Sequence, residues 1–433
     1  ICSSEIRLQR FISGDKLVIS KKLSKLYSKQ TIFRDKDYLK KGHHPRSLDE
    51  VLHRDHVIDI YTNCLRDVMH GDVPDNIFVY GTYGTGKTML TKLITSEIAL
   101  AAEVEGYKIR VIYIFCESYR SPSPLLRHIN QELVNSIPNL ENKMVGTSIS
   151  RNFEYFCELV NLISIPIILI FDEIDKLNNP DIINQLSRIK ECEFTQKNVC
   201  IIGITNDTIF YDNLDGRTKS IIGQNELFIP PYNAEELADI LTARANLAFK
   251  DNVCENIVIP LCAAFGAQEN GDARKAMDLL RLSGENAELR SSLKICEQDV
   301  KAAKGKVEIN RQAEIIRKLP TQTKAVLFAC TSRYEITGSN LETTEIYNSY
   351  LKIAEIISLD TVTLRRVGDY ISELASIGIL SINKISRGRK RGVVNFVKPI
   401  TDTYIIEQTI LQDPRFEELQ RRSSDSFTAN FEV

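Results

Sequence analysis

The chain has 433 residues, 43% hydrophobic and 26% charged, with a formal net charge of −2. This is the make-up of an ordinary folded protein long enough for two or three domains, and it excludes collagen-like and low-complexity classes. The longest apolar run falls short of the roughly 20 residues a membrane span needs and is interrupted by Pro166, so no membrane partner is expected.

Residues 1–28 interleave Lys and Arg with Leu and Ile, which suits either a short amphipathic extension or a DNA-contacting arm. Residues 1–46 carry twelve Lys/Arg against four acids, a net of +8. Residues 47–310 carry 26 against 38, a net of −12, and residues 311–433 carry 17 against 15, a net of +2. Basic character is confined to the ends. That suggests a polyanionic partner, although a charge run also serves as a plain solvated face. No signal-peptide pattern opens the sequence, and the ten cysteines are scattered without a C-x-x-C pair, so reduced core thiols in a cytoplasmic protein are expected. Five of the six histidines lie between His43 and His70, and His53 and His56 can share a helix face, but further ligands for a metal site are lacking.

The run Gly81-Thr82-Tyr83-Gly84-Thr85-Gly86-Lys87-Thr88 follows the apolar Ile77-Phe78-Val79-Tyr80 and precedes a helical pattern from Met89. A strand, a glycine-rich turn and a helix in that order form a phosphate-binding loop. The glycines let backbone amides face phosphate oxygens, Lys87 can reach the β and γ phosphates, and the Thr88 hydroxyl can ligate Mg²⁺. The loop therefore predicts binding of a nucleoside triphosphate with Mg²⁺. Arg110 to Phe115 reads as another buried strand. Ile167 to Phe171 is a continuous apolar run ending in Asp172-Glu173-Ile174-Asp175, the form of a Walker B motif. Asp172 there would hold Mg²⁺ and Glu173 would polarise the attacking water, while Asp175 reads as a helix-start residue. Val199 to Ile204 is a further strand, and Asn206 after it is placed to orient the same water. Strands alternating with helices imply a largely parallel sheet wrapped by helices, ending at Pro230-Pro231. Ala234 to Phe249 and Ile257 to Ser283 show helical spacing, so a smaller all-helical domain follows.

Glu345 to Ile357 reads as a helix, Ser358-Leu359-Asp360 as a turn and cap, and Thr361 to Ile377 as a second helix with Leu364, Val367, Ile371 and Leu374 on one face. Gly378 ends it. Ile379 to Ile385 and Val393 to Val397 alternate as a two-stranded hairpin, and six basic residues without an acid lie between Lys384 and Lys398. This is the pattern of a winged helix. Its second helix can enter a major groove with Thr361, Thr363, Arg365 and Arg366, while Arg387, Arg389, Lys390 and Arg391 of the wing can lie along phosphates or a minor groove. Winged helices also dock proteins, but the basic wing favours double-stranded DNA.

The phosphate loop, Walker B run and Gly271-Asp272-Ala273-Arg274-Lys275-Ala276 resemble the AAA+ ATPases, whose helical lid carries an arginine in the setting of Arg274. The resemblance implies a nucleotide-sensing role for Arg274. It makes Arg217, with Lys219 as a nearby competitor, the arginine offered to a neighbouring subunit's nucleotide. With the winged helix, and with Ile32-Phe33-Arg34-Asp35, Pro45-Arg46-Ser47-Leu48 and His53-Arg54-Asp55 ahead of the loop, the order of motifs is similar to that of the archaeal replication initiators related to origin recognition complex subunit one and cell division control protein six. The resemblance spans roughly residues 31–400. It implies an α/β AAA+ base domain over 29–231, an all-helical lid over 232–308 and a winged-helix domain over 309–405, between the extension at 1–28 and a tail at 406–433. It further implies that residues from Pro45 to Asp55, Arg54 among them, pack on the adenine. The segment Ser121 to Pro138 corresponds to a DNA-contacting insertion, here with only Arg127 and His128 as basic groups. The activity implied is origin binding, recruitment of a replicative MCM helicase and slow ATP hydrolysis as a switch, in a chromosome-associated protein that assembles as a homo- or hetero-oligomer on DNA. The alternatives are a DNA-associated loader without site preference and a nucleotide-gated protein-docking scaffold.

Overall fold

The computed structural model describes residues 31–119, 121–137, 140, 146–177, 182, 183, 186, 198–214, 216–386 and 393–419. They form two compact units divided between Val300 and Lys301.

In the first unit, α1 (Asp55–Leu65), β1 (Ile77–Tyr80), α2 (Lys87–Val104), β2 (Arg110–Phe115), α3 (Pro122–Val134), α4 (Ile149–Leu162), β3 (Ile167–Asp172) and β4 (Val199–Thr205) follow in order. Then come α5 (Thr208–Asn213), α6 (Gly216–Ile222) and β5 (Asn225–Phe228). The five strands form one parallel sheet in the order β2-β3-β4-β1-β5. Successive side chains of a strand face opposite ways, so each apolar run supplies two cores. Phe78, Ile112, Leu169, Phe171 and Ile201 pack with α3 and α4, whereas Val79, Ile168, Ile170, Cys200 and Ile202 pack with α1 and α2. The alternation explains why β3 and β4 are buried at every position. The parallel pairing brings the carboxyl ends of β1, β4 and β3, three adjacent strands, to one edge of the sheet.

Strand β5 escapes a sequence reading because it is four residues long, at the sheet's edge, and exposes Phe228. The span Ile257 to Ser283 is two helices, α8 (Val258–Gln268) and α9 (Ala273–Leu289). Asn270 and Gly271, at φ +61° and +64°, turn the chain, and Asp272 caps α9 by accepting from Arg274 N. With α7 (Ala234–Ala248), closed at its start by a reciprocal Asn233/Glu236 capping box, these helices make the lid. The segment before α1 is tied to the lid. Lys250 N donates to Ile32 O at 3.0 Å, Arg34 N donates to Ala248 O at 2.7 Å, and the Phe33 and Phe249 rings lie 4.8 Å apart. Gly284 makes room for both rings, since a Cβ there would come within 2.6 Å of Phe33 and 2.8 Å of Phe249.

Helix α10 (Glu297–Lys318) spans the division. In the second unit α11 (Thr321–Thr337) is buried on all sides from Thr323 to Ser332, as a central helix must be. Around it lie β6 (Leu341–Glu342), α12 (Thr343–Ile356), α13 (Leu364–Ser376), β7 (Leu380–Ser386), β8 (Val393–Pro399) and α14 (Thr403–Leu411), with the strands in the antiparallel order β6-β8-β7. Helix α13 buries Val367, Ile371 and Leu374 against this core, which also takes in Ile406, Ile410, Phe416 and Leu419 beyond residue 405. It starts at Leu364 rather than Thr361, because the Thr363 hydroxyl accepts from Arg366 N and so caps it there. The expected class, an α/β AAA+ sheet domain with a helical lid and a winged helix, is the class found.

Candidate nucleotide site and nucleic-acid face

The loop between β1 and α2 turns through Gly84 and Gly86, both in the left-handed region at φ +76° and +94°, and Gly86 opens α2. That leaves the first amides of the helix facing the cleft, where its dipole favours an anion. Lys87 is 4% exposed and donates to Gly81 O at 2.9 Å and Thr82 O at 2.7 Å. Burial, then the positive charge of Arg274, pull its ammonium down to about 8.

Thr88 Oγ1 lies 3.1 and 2.9 Å from Asp172 Oδ1 and Oδ2, which brings the loop and the end of β3 into direct contact. Asp172 is 4% exposed and accepts from Tyr113 OH and from Glu173 N at 3.1 Å. Glu173 stands at φ +54°, and burial, followed by the negative charges of Asp172 and Glu117, raises its carboxyl above the ordinary range. Asp175, expected at a helix start, lies in the first turn of a short 3-10 helix, Ile174–Lys176, where it accepts from Thr205 Oγ1 at 2.8 Å. Asn206 follows β4 into the same cleft.

The lid closes the cleft from the other side. Ala273 N approaches Gly84 O at 3.4 Å, and Arg274, half exposed with Nε 3.6 Å from Asp272 Oδ1, lines the cleft with Lys87, Thr88, Glu173 and Asn206. Its far end is apolar, formed by Pro45, Val51 and Leu52 across from Ile240, Ala243 and Met277. Of the histidines, His43 and His44 line the cleft, and His53, at φ +58° ahead of α1, has Nε2 2.9 Å from Asp239 Oδ2. Among the described residues no group of three or more His, Cys, Asp or Glu is arranged to hold a metal.

Arg54 stands behind the loop, away from the cleft lining. It is 2% exposed, donates to Pro230 O at 2.8 Å and Thr85 O at 3.4 Å, and its guanidinium carbon lies 3.6 Å from the Tyr232 ring centre. The position of Arg217 is in the first turn of α6. Tyr113, Tyr232, Ile240, Arg244 and Met277 were missed by sequence reasoning. Each is an ordinary residue on a strand, linker or helix, with no spacing signal to mark it.

These residues fit a magnesium-bound nucleoside triphosphate. A hydroxyl and a carboxylate already in contact are hard oxygen donors of the kind Mg²⁺ takes beside water. The left-handed glycines let the loop turn its amides toward the cleft at the start of α2, where phosphate oxygens would sit.

In the winged helix, Thr361, Thr363, Arg365 and Arg366 are all exposed around the start of α13, away from its buried stripe. Arg366 lies over the Tyr370 ring at 4.9 Å and 3.6 Å from Asp369. Arg387, Arg389, Lys390 and Arg391 lie outside the described residues. Helix α3, in the expected insertion, buries Leu125, Leu126, Ile129 and Leu133, with Arg127 exposed and His128 stacked on Tyr119.

Three family descriptions match in chain order: an AAA domain over residues 72–207, a Cdc6 AAA+ ATPase-type lid domain over 238–305, and a CDC6 C-terminal winged helix domain over 314–408. The ORC1-type DNA replication protein 1 of Methanosarcina acetivorans is 38% identical over 406 residues, covering 91% of this chain and 94% of its own. The chain belongs to the ORC1-type DNA replication protein family. Another ORC1-type relative, from Pyrococcus abyssi, is 36% identical over 383 residues, 87% of this chain and 89% of its own. Among solved structures, that of the Aeropyrum pernix ORC1 protein in complex with DNA is similar at TM-score 0.70 and 33% identity, covering 90% of this chain and 99% of that one. As an ORC1-type chain it carries an AAA+ domain and a winged helix. Among its described residues no helix is long and apolar enough to cross a membrane.

Proposed function

We propose that this chain is an ATP-dependent replication initiator that binds double-stranded origin DNA and helps recruit the replicative MCM helicase, with ATP binding and slow hydrolysis as its switch. One observation carries the reading. A lid arginine, Arg274, lines the same cleft as Lys87 and Glu173, in a chain that also holds a winged helix with Arg365 and Arg366 exposed at the start of α13.

The loop from Gly81 to Thr88 cradles the phosphates, and Lys87 turns from Gly81 O and Thr82 O toward the β and γ oxygens. Thr88 and Asp172 would hold Mg²⁺, which when bound would draw charge from the phosphates. Glu173 polarises the attacking water, and Asn206 orients it. Pro45, Val51 and Met277 pack on the adenine, while Arg54 braces the loop from behind. Arg274 reads the γ phosphate and sets the lid, so hydrolysis releases that arrangement. Turnover is slow in a monomer because Arg217 acts on a neighbour's nucleotide within an oligomer on DNA. Thr361, Thr363, Arg365 and Arg366 enter the major groove, and Arg387, Arg389, Lys390 and Arg391 follow the phosphates. The protein works on the chromosome in the cytoplasm.

Nuclease footprinting across candidate origin DNA, with ATP and with ADP near physiological salt, tests this beside a variant with Arg387, Arg389 and Arg391 changed to Ala. Discrete protections that vanish in the variant are expected. A featureless ladder in every lane would replace the reading with a site-independent loader or a protein-docking scaffold.

A further inference from the structure

We propose that Tyr113 is a positioning residue that fixes the carboxylate of Asp172 for Mg²⁺, an inference that rests on reading the cleft as a magnesium-nucleotide site. Tyr113 belongs to neither motif. It sits on β2, in register with Ile170 of β3, and its hydroxyl reaches diagonally to donate to Asp172 Oδ2 at the strand's end. Among the described residues, the other hydrogen-bonding contacts to that carboxylate come from the two motifs themselves. Thr88 Oγ1 lies within 3.1 Å of both oxygens, and Glu173 N donates to Oδ1. The phenol is therefore the outside support of the carboxylate, and it pins Oδ2 on the side that Glu173 N does not reach.

Helix α2 reinforces the arrangement. Thr88 and Lys92 are four residues apart and so share a helix face. The first touches Asp172, and the second sets Nζ 3.7 Å from the centre of the Tyr113 ring. A cation over the ring withdraws electron density from the phenol and makes its hydroxyl a stronger donor. One helix face thus grips the carboxylate directly and through the tyrosine. Outer partners of this kind set the orientation and charge of a metal-binding carboxylate, and their removal typically weakens metal affinity by about 10–100-fold.

The test is an equilibrium titration of a fluorescent N-methylanthraniloyl ATP, in EDTA and across a Mg²⁺ series, for wild type, Tyr113→Phe, Asp172→Asn and the double variant. Phenylalanine keeps the ring under Lys92 and removes only the hydroxyl. Tyr113→Phe is expected to raise the half-saturating Mg²⁺ concentration about tenfold or more while leaving affinity in EDTA unchanged. In the Asp172→Asn background it should add little, because the carboxylate it positions is gone. An unchanged Mg²⁺ midpoint would overturn the proposal. So would an equal loss of affinity with and without Mg²⁺, which marks a structural role, or a full additional effect on Asp172→Asn. Failure of wild type to bind the nucleotide at all would bring down the underlying reading, and this is seen before any variant is compared.

Discussion

The contact between phosphate loop and lid turns on the absence of a single methyl group, and Gly84→Ala measures it. A Cβ on Gly84 would lie 1.8 Å from Asp272 Oδ1, 2.1 Å from its Cγ and 2.8 Å from its Cα. Rotating the aspartate side chain relieves the first two clashes, but the third is with backbone, so the lid itself has to back away. Three effects add. The left-handed φ of +76° costs an alanine about 1–2 kcal/mol, the overpacking about 1–3 kcal/mol, and disturbing the Asp272 cap on Arg274 N and Lys275 N about 1 kcal/mol. Gly106→Ala is the internal control. It also stands at positive φ, +89°, but a Cβ there meets nothing within 4 Å, so only the backbone strain of about 1–2 kcal/mol applies. Urea unfolding of both variants should place Gly84→Ala at about 3–6 kcal/mol of destabilisation, at least ~2 kcal/mol beyond the control. ADP titration should show weaker binding for Gly84→Ala and none of that loss for Gly106→Ala. Equal stabilities, together with equal ADP affinities, would refute the claim that the lid rests on this glycine.

Two further outcomes follow from the charges. Lys87 is charged below about 8 and neutral above it in the free protein, so nucleotide affinity should be level at neutral pH and fall as pH rises past about 8. Arg274→Gln should move that fall to higher pH, because the repulsion of Arg274 is the second cause of the depression. Stability without nucleotide should move oppositely. Between about 8 and the ordinary 10.5 the unfolded chain binds the proton that the folded one has released, so this lysine's contribution favours folding as pH rises. In the winged helix, changing Arg365 and Arg366 to Ala removes the charges that would neutralise up to two phosphates. The slope of log binding constant against log salt should then flatten by about 0.9 for each phosphate no longer neutralised, and an unchanged slope would place the duplex elsewhere.

The legible parts of this molecule were the parts whose chemistry is local. The phosphate loop needs its glycines, lysine and threonine in one run of eight residues, and Walker B needs a buried strand ending in acids. Both stood in the sequence within a residue of where the structure has them. The hairpin of the winged helix was equally plain from its alternation, and the start of α13 was misplaced only because Thr363 rather than Asp360 caps it. Strand β5, by contrast, is too short and one-sided for a pattern, and the break between α8 and α9 hides in a single Asn-Gly step.

What no local pattern records is how the motifs hold each other. Arg54 reads as an adenine-side residue because its neighbours in sequence are there, yet a buried guanidinium goes where carbonyls and an aromatic face can solvate it. Pro230 O, Thr85 O and the Tyr232 ring provide that environment behind the loop. Tyr232 is also the residue whose backbone closes on Gly271, with Tyr232 O within 2.4 Å of a Cβ there. Gly271 in turn leads into Asp272 and Arg274. Arg54, Tyr232 and Gly271 are thus a chain of contacts from the back of the phosphate loop to the base of the lid, parallel to the front contact at Gly84. The lid thus packs on the loop at two places, behind it and in front. Such a chain depends on residues from three distant segments meeting, and for that reason neither the glycine nor the arginine announced its partner in the sequence.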